Sequence, residues 1–201
     1  MYLLSFWQQL IRLDKDLFEK INGDWTNPFF DSVMPFLRSP LHWAPLYLFL
    51  LVFAIVNYKV RGLWWVVFLL STVALTDMTG TYVFKHGFER LRPCADPLFT
   101  DHVRLILKRC AGGYSFISNH AANHFGIGVF FYITMRRQIK NWAWIGLLWA
   151  ALIAYAQVYV GNHYPFDVLC GALLGLAFGI STATLFNKRY GFAIFGHQRV
   201  D

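Results

Sequence analysis

Two histidines and a carboxylate carry the chemistry this chain could do. His163 and Asp167 stand four residues apart in Gly161-Asn162-His163-Tyr164-Pro165-Phe166-Asp167, and His120 follows Ser118-Asn119 earlier in the chain. Proline is favoured in the first turn of a helix, so Pro165 marks a helix start. Asp167 then lies in the first turn, where its carboxylate can hold the imidazole just ahead of it. An imidazole oriented in this way can act as a nucleophile, and a second histidine can serve as acid and then as base. Ser118-Asn119 reads as the N-cap of another helix, whose free N–H groups favour an anion. Lys85 and Arg92 lie seven apart, which on a continuous helix puts both cations on one face with Asp77 and Thr81. Two cations and several helix-start amides, including that of Asn119, form a cradle for a dianion. Phosphoryl transfer needs chiefly positioning and charge stabilisation, and this set supplies both without a metal or cofactor. His124, four residues after His120, suggests a rival zinc site with His163 and Asp167. Lys85 and Arg92 would repel such a cation, and Ala121 stands where a metalloprotease carries glutamate. His124 is better read as a partner behind the site or a substrate contact, and Asp77 as a supporting group.

The elements that must position these groups are membrane helices. The 201 residues are 57% hydrophobic and only 14% charged, with a mean hydropathy of +0.41. Soluble domains carry about 25% charged residues. Apolar runs near 20 residues long complete the signature of an integral membrane protein. Five spans are expected, at roughly Leu41–Tyr58, Leu63–Phe84, His120–Met135, Trp142–Val160 and Tyr164–Phe186. Residues 1–24 mix apolar positions at helical spacing with charges of both signs, which predicts an amphipathic helix lying on the bilayer. Asn22-Gly23 and Asn27-Pro28 end it, and a second short amphipathic piece runs from Phe29 to Leu37. The fold class is therefore all-α: one polytopic bundle over 1–201, with an interfacial segment 1–40, a helix bundle 41–187 and a cytoplasmic tail 188–201. Gly171, Gly175 and Gly179 recur every fourth residue in the last span, a pattern that lets helices approach closely.

Five spans put the long loop from Lys85 to Asn119 and the His163 loop on one side of the membrane. Basic residues occur on both sides, so charge alone gives no orientation. Cys94 and Cys110 lie within the long loop and could close a disulfide, which would turn this face toward an oxidising compartment. Cys170 reads as a buried thiol. The net charge of +7 suits anionic lipids or lipid-like substrates. A transporter would need polar residues along its path, but here they gather at one surface and only Asp77 sits well inside a span. No nucleic-acid partner is expected.

Three stretches in order resemble the type 2 phosphatidic acid phosphatase family, which includes bacterial undecaprenyl-diphosphate phosphatases and is related to vanadium haloperoxidases. Its motifs are Lys-x6-Arg-Pro, Pro-Ser-Gly-His and Ser-Arg-x5-His-x3-Asp. This chain reads Lys85-x6-Arg92-Pro93, then Ile117-Ser118-Asn119-His120, then Ala156-Gln157-x5-His163-x3-Asp167. The resemblance implies that His163 forms a phosphohistidine while Asp167 orients it and stabilises its charge. His120 would protonate the leaving lipid oxygen and then activate water. Lys85, Arg92, Ser118 and the amide of Asn119 would bind the phosphate oxygens. It also implies a lipid phosphate or diphosphate substrate, undecaprenyl diphosphate first, with phosphatidylglycerophosphate, phosphatidic acid and lipid A as alternatives. The layout fits a bacterial inner membrane with the site facing the periplasm or exterior. Gln157 stands in place of the family's phosphate-binding arginine and offers hydrogen bonds without charge. Arg90, Arg104, Lys108 and Arg109 are candidates to replace that charge. A catalytically weak lipid-phosphate binder is the alternative the substitution raises.

Overall fold

The structure is a computed structural model, and it describes residues 2–192. The part of the expected cytoplasmic tail beyond 192 lies outside the described residues. Among the described residues there are helices and loops and no strand.

Helix α1 (Tyr2–Glu19) turns Phe6, Trp7, Ile11 and Leu13 outward, with Trp7 61% exposed, and Asp14 and Phe18 inward. That division is what an amphipathic helix on a bilayer surface requires. A π turn over Lys20–Asp24 follows. Its buried Asn22 donates to the carbonyls of Arg104 (2.9 Å) and Tyr159 (2.7 Å) and accepts from the Arg104 amide at 2.7 Å. One buried amide thus ties three distant segments together. Helix α2 (Pro28–Arg38) starts with Pro28 in its first turn and with the Asn27 side chain accepting from the Phe30 amide at 2.9 Å.

Helix α3 (Ala44–Met78) doubles back on itself. At Lys59 φ is +53°, and a Cβ placed on Gly62 would fall 1.9 Å from the Ala54 carbonyl oxygen. Residues eight apart in an unbroken helix would be about 12 Å apart; only a hairpin brings them into contact. The second arm continues through a π turn (Thr79–Lys85) into the short α4 (His86–Phe88). Helices α5 (Asn119–Ile139) and α6 (Trp144–Tyr159) repeat the device, reversing at Lys140 with φ +51°. Helix α7 (Pro165–Arg189) completes the bundle. By length and composition three stretches can cross a membrane, of 49, 41 and 25 residues. Two of them fold back, so the described residues present five apolar arms.

The contact that organises the bundle is α5 against α7. A Cβ on Gly171 would lie 2.5 Å from the Ser118 carbonyl oxygen, on Gly175 2.3 Å from that of Ala122, and on Gly179 2.8 Å from that of Gly126. The glycine stripe therefore sets the register one turn at a time and lets the two backbones touch. Hydrogen bonds add directional glue inside the bundle: Trp65 Nε1 donates to Thr134 Oγ1 (2.8 Å), Thr72 pairs with Thr182 (2.7 Å), and Thr76 donates to Asn123 (2.6 Å). A cluster of Phe18, Met34, Phe99, Tyr159 and Tyr164 seals the end where α1 and α2 meet the bundle. That is the end at which α5 and α7 begin, side by side.

Candidate active site

The His163 loop is shaped by its backbone. Gly161 has φ +84°, and a Cβ there would press on Val103 and the Arg104 carbonyl, so glycine is required. The amides of Asn162 and His163 both donate to the Gln157 carbonyl, at 3.1 and 3.2 Å. Pro165 starts α7, and Asp167 Oδ2 accepts from the Tyr164 amide at 3.0 Å, closing the helix start. His163 is 1% exposed. Arg92 Nη1 approaches its Nε2 at 2.9 Å, and Ser115 Oγ and Asp167 Oδ2 lie 3.3 and 3.7 Å from its Nδ1. A guanidinium can only donate, so Nε2 must offer its lone pair and Nδ1 must hold the proton. Burial, with the Arg92 charge adding and Asp167 opposing, holds the imidazole down to about 4. At neutral pH the ring is unprotonated at the nitrogen that faces the cation.

Behind the ring stands a chain of charges. Ser115 Oγ donates to Asp167 Oδ2, so the serine hydroxyl bridges histidine and carboxylate. Arg90 Nη1 donates to Asp167 Oδ1 at 2.7 Å, and Arg90 Nη2 to Asp14 Oδ2 at 2.6 Å. The guanidinium also lies 4.0 Å over the Tyr164 ring. Burial works against the Arg90 charge, but the two carboxylates keep it above its ordinary range. Burial raises the Asp14 carboxyl in spite of Arg90. Asp14 Oδ1 accepts from the Phe166 amide at 2.8 Å, so α1 is fastened to the first turn of α7. The sequence placed neither Asp14 nor Ser115 in the site. Asp14 lies four residues before the buried Phe18, on the inward face of α1, and only that packing distinguishes it from a solvated charge.

Lys85 and Arg92 do not share a helix face. Glu89 adopts the left-handed conformation (φ +46°) just after α4, and Arg92 is extended ahead of Pro93, so the chain turns away between the two cations. Arg92 is instead seated by loop carbonyls: Nε donates to Gly113 (3.2 Å), Nη2 to Gly112 (3.2 Å) and Nη1 to Asn162 (3.1 Å). Cys94 and Cys110 are joined, with Cα atoms 5.8 Å apart, so the bridge lies just after Arg92 and just before Gly112 and Gly113, whose carbonyls receive two of its donors. Lys85 is half-buried near the end of the π turn, with its charge acting on His163 and Arg92.

Ser118 caps α5: its Oγ accepts from the Ala121 amide at 3.4 Å, and its own amide donates to the Asp167 carbonyl at 3.0 Å. The Asn119 side chain plugs the π turn, donating to Asp77 Oδ1 (2.9 Å) and Thr81 Oγ1 (2.8 Å), and a Cβ on Gly80 would strike it at 2.5 Å. Asp77 also accepts from Asn123 at 3.2 Å, so it braces the start of α5. His120 lines an apolar cavity of about 680 Å³ walled by both arms of α3 and by α5, with His124 and Asp77 also at its edge. His124 donates from Nδ1 to the His120 carbonyl (2.7 Å) and accepts at Nε2 from Tyr47 (3.2 Å), which fixes its ring parallel to that of His120. No group of three metal-ligating side chains comes together among the described residues.

Gln157 is fully buried. Its Oε1 accepts from Arg38 Nε at 3.3 Å, across from α2, while its Nε2 has no partner. The four cations expected to replace a missing arginine lie elsewhere. Arg90 is bound to its two carboxylates; Arg104 is paired with Asp31 at 2.8 Å; Lys108 and Arg109 are exposed on the outer rim of a cavity that Arg38 also lines.

The chain is similar to several known proteins. The lipid A 4'-phosphatase of Bacteroides thetaiotaomicron is 32% identical over 167 residues, covering 81% of this chain and 72% of that protein. An undecaprenyl-diphosphatase of Sulfolobus acidocaldarius is 28% identical over 174 residues, covering 84% of this chain and 76% of that protein. Among solved structures, a transmembrane PAP2 type phosphatidylglycerolphosphate phosphatase from Bacillus subtilis superposes with a TM-score of 0.70 at 19% identity, over 92% of this chain and 90% of that one, a likeness of fold. The family model of the PAP2 superfamily matches residues 62–190, which hold Lys85, Arg92, Ser118, His120, His163 and Asp167. The chain belongs to the PAP2 superfamily.

Proposed function

We propose that this protein hydrolyses a phosphate ester on a membrane lipid through a phosphohistidine at His163. The observation that carries the reading is the pairing of Arg92 with His163 Nε2, which sets the nucleophilic lone pair directly against a phosphate-binding cation. A phosphate entering between them takes over the Arg92 donor, with Lys85 and the start of α5 completing its cradle. His163 Nε2 then bonds to phosphorus as the bond to the lipid oxygen breaks, and His120 gives that oxygen its proton. The charge developing on the imidazolium is stabilised by Asp167 through the hydrogen bonds from Nδ1 to Ser115 and from Ser115 to the carboxylate. In the second half His120 takes a proton from water, the water oxygen attacks phosphorus, and the histidine–phosphorus bond breaks to release inorganic phosphate. No step needs a metal. The cavity beside His120 has the apolar lining that a lipid chain requires, and it reaches the membrane-facing arms of α3.

The 32% identical relative named as a lipid A 4'-phosphatase favours a phosphomonoester on a lipid A-type glycolipid as the substrate. The relative named as an undecaprenyl-diphosphatase supports undecaprenyl diphosphate as a second reading. A disulfide in the loop over the site supports an active face toward an oxidising compartment, the periplasm or cell exterior. The test is phosphate release by detergent-purified protein from lipid A, undecaprenyl diphosphate, phosphatidylglycerophosphate and phosphatidic acid, with and without EDTA. Release should survive EDTA, be inhibited by orthovanadate and vanish in His163→Ala. A requirement for added zinc, or undiminished turnover in His163→Ala, would sink the reading.

A further inference from the structure

We infer that Arg38, on α2 and outside every motif, is a phosphate-binding residue of this site, held in place by Gln157. This rests on the phosphatase reading above and adds a residue to it. Position 157 is where the sequence lacks an expected arginine, and the structure brings a guanidinium to that position from another helix. Arg38 Nε donates to Gln157 Oε1, and the same glutamine's backbone carbonyl receives the amides of Asn162 and His163. The residue that holds Arg38 therefore also holds the nucleophile's loop. Because Arg38 can only donate, the glutamine oxygen must face it, and the fully buried Nε2 is left as a donor without an acceptor. An unpartnered buried N–H is costly unless a ligand satisfies it, and a phosphate oxygen is the acceptor this site is otherwise built for.

Three further facts agree. Arg38 is half-buried and lines a cavity with Gly112, whose carbonyl seats Arg92. Its positive charge is felt at Arg92, where burial, opposed by Asp167 and aided by Arg38, lowers that guanidinium to about 10. It is also felt at His120. Arg38 and Arg92 thus bring two positive charges near His120 and His163, with Asp167 offsetting part of the charge at Arg92, and a phosphate dianion is the ligand such a pair of guanidinium groups suits. In this arrangement Gln157 gives its neutral N–H to one phosphate oxygen and fixes the plane of Arg38, whose terminal nitrogens meet another. The charge an arginine would bring at position 157 is thus divided between two helices.

The experiment uses full-length protein with a lipid phosphate on which the wild type turns over. It measures kcat, inhibition by orthovanadate, and thermal unfolding for Arg38→Met, Arg38→Gln, Gln157→Arg and Arg38→Met/Gln157→Arg. Removing one preorganised charge-stabilising donor typically costs about 10²–10³-fold in kcat. Arg38→Met and Arg38→Gln should each lose about 10²-fold, with vanadate inhibition weakened in step and the unfolding temperature near wild type. Gln157→Arg in the Arg38→Met background should recover about tenfold or more of that loss, since it returns a guanidinium to the same place. Arg38→Gln with wild-type kcat and vanadate affinity would overturn the inference and leave the phosphatase reading standing. A loss in both Arg38 variants that tracks unfolding and is not recovered by Gln157→Arg would also overturn it, marking Arg38 as a packing residue. Absence of phosphate release by the wild type from every lipid would instead sink the parent reading.

Discussion

Replacing Asp14 with asparagine should slow the chemistry from a helix outside the matched family segment. In the native site one guanidinium serves two carboxylates: Arg90 reaches Asp14 at 2.6 Å and Asp167 at 2.7 Å. Each carboxylate is thereby only partly neutralised, and Asp167 keeps enough charge to favour an imidazolium on His163. At an effective dielectric near 20, unit charges about 4 Å apart interact by roughly 4 kcal/mol. Asp14→Asn removes one such interaction, but also ends the burial penalty on that carboxylate, so a net loss of about 2 kcal/mol in stability is expected. The side-chain amide oxygen still receives the Phe166 amide, which preserves the fastening of α1 to α7. Arg90 then falls wholly to Asp167. If half of the interaction between Asp167 and the developing imidazolium is cancelled, the barrier rises by about 2 kcal/mol, or roughly 30-fold in kcat. KM should move little, because neither residue touches the bound phosphate. The assay is steady-state phosphate release beside thermal unfolding followed by tryptophan fluorescence, for Asp14→Asn, Arg90→Ala and the double variant. In the double variant Asp167 is again free of Arg90, so the two effects on kcat should be non-additive by about 1 kcal/mol or more. Additive effects, or a wild-type kcat in Asp14→Asn, would refute the coupling.

Acidification should tell the same story through His163. Its imidazole is held by burial at about 4, below the ordinary 6.5, so between those values the unfolded chain binds more protons than the native one. The contribution of His163 to stability should therefore fall as pH drops from 6.5 to 4, by up to about 3 kcal/mol. The slope in that window should become shallower in His163→Gln, and the acid limb of kcat/KM set by His163 should lie near 4 rather than 6.5. Gly175→Val should disrupt the bundle itself, because the first added carbon meets the Ala122 carbonyl at 2.3 Å and the Gly126 amide at 2.8 Å, backbone atoms that cannot step aside. Overpacking of this kind costs about 1–3 kcal/mol or more, whereas Gly87→Ala, with open space around it, should unfold at the wild-type temperature.

The parts of this site that could be read from sequence are those with a local signature. Pro165 and Asp167 announce a helix start, Ser118 announces a cap, and the glycines of α7 mark a register because contacts between helices repeat every turn. Lys59 and Lys140 sit between apolar runs, so the reversals were visible as interruptions even though the left-handed turns that make them were not. The position of Arg92 is not legible, because the sequence from Lys85 to Pro93 is compatible with a continuous helix and the left-handed Glu89 that stops it carries no side-chain signal. The charge chain was invisible for a different reason. Asp14, Arg90 and Asp167 meet across most of the chain's length, and nothing in the neighbourhood of Asp14 separates it from a solvated charge on an amphipathic helix. Arg38 likewise resembles any cation at a helix end. Ion pairs between remote segments have no period, so only the packing of α1 and α2 onto the bundle reveals them.

Helix α1 shows one face to its surroundings, with Phe6, Trp7 and Ile11, and gives Asp14 from its other face to Arg90. Any movement of that helix at the bilayer surface would carry the carboxylate with it. A fusion at the N-terminus, or a detergent with a thin micelle, should therefore change turnover without touching a motif residue. The family-matched segment begins at residue 62. A chain trimmed to that boundary would keep both histidines and Asp167, but it would lose Asp14 and Arg38 and with them two of the charges that tune the site.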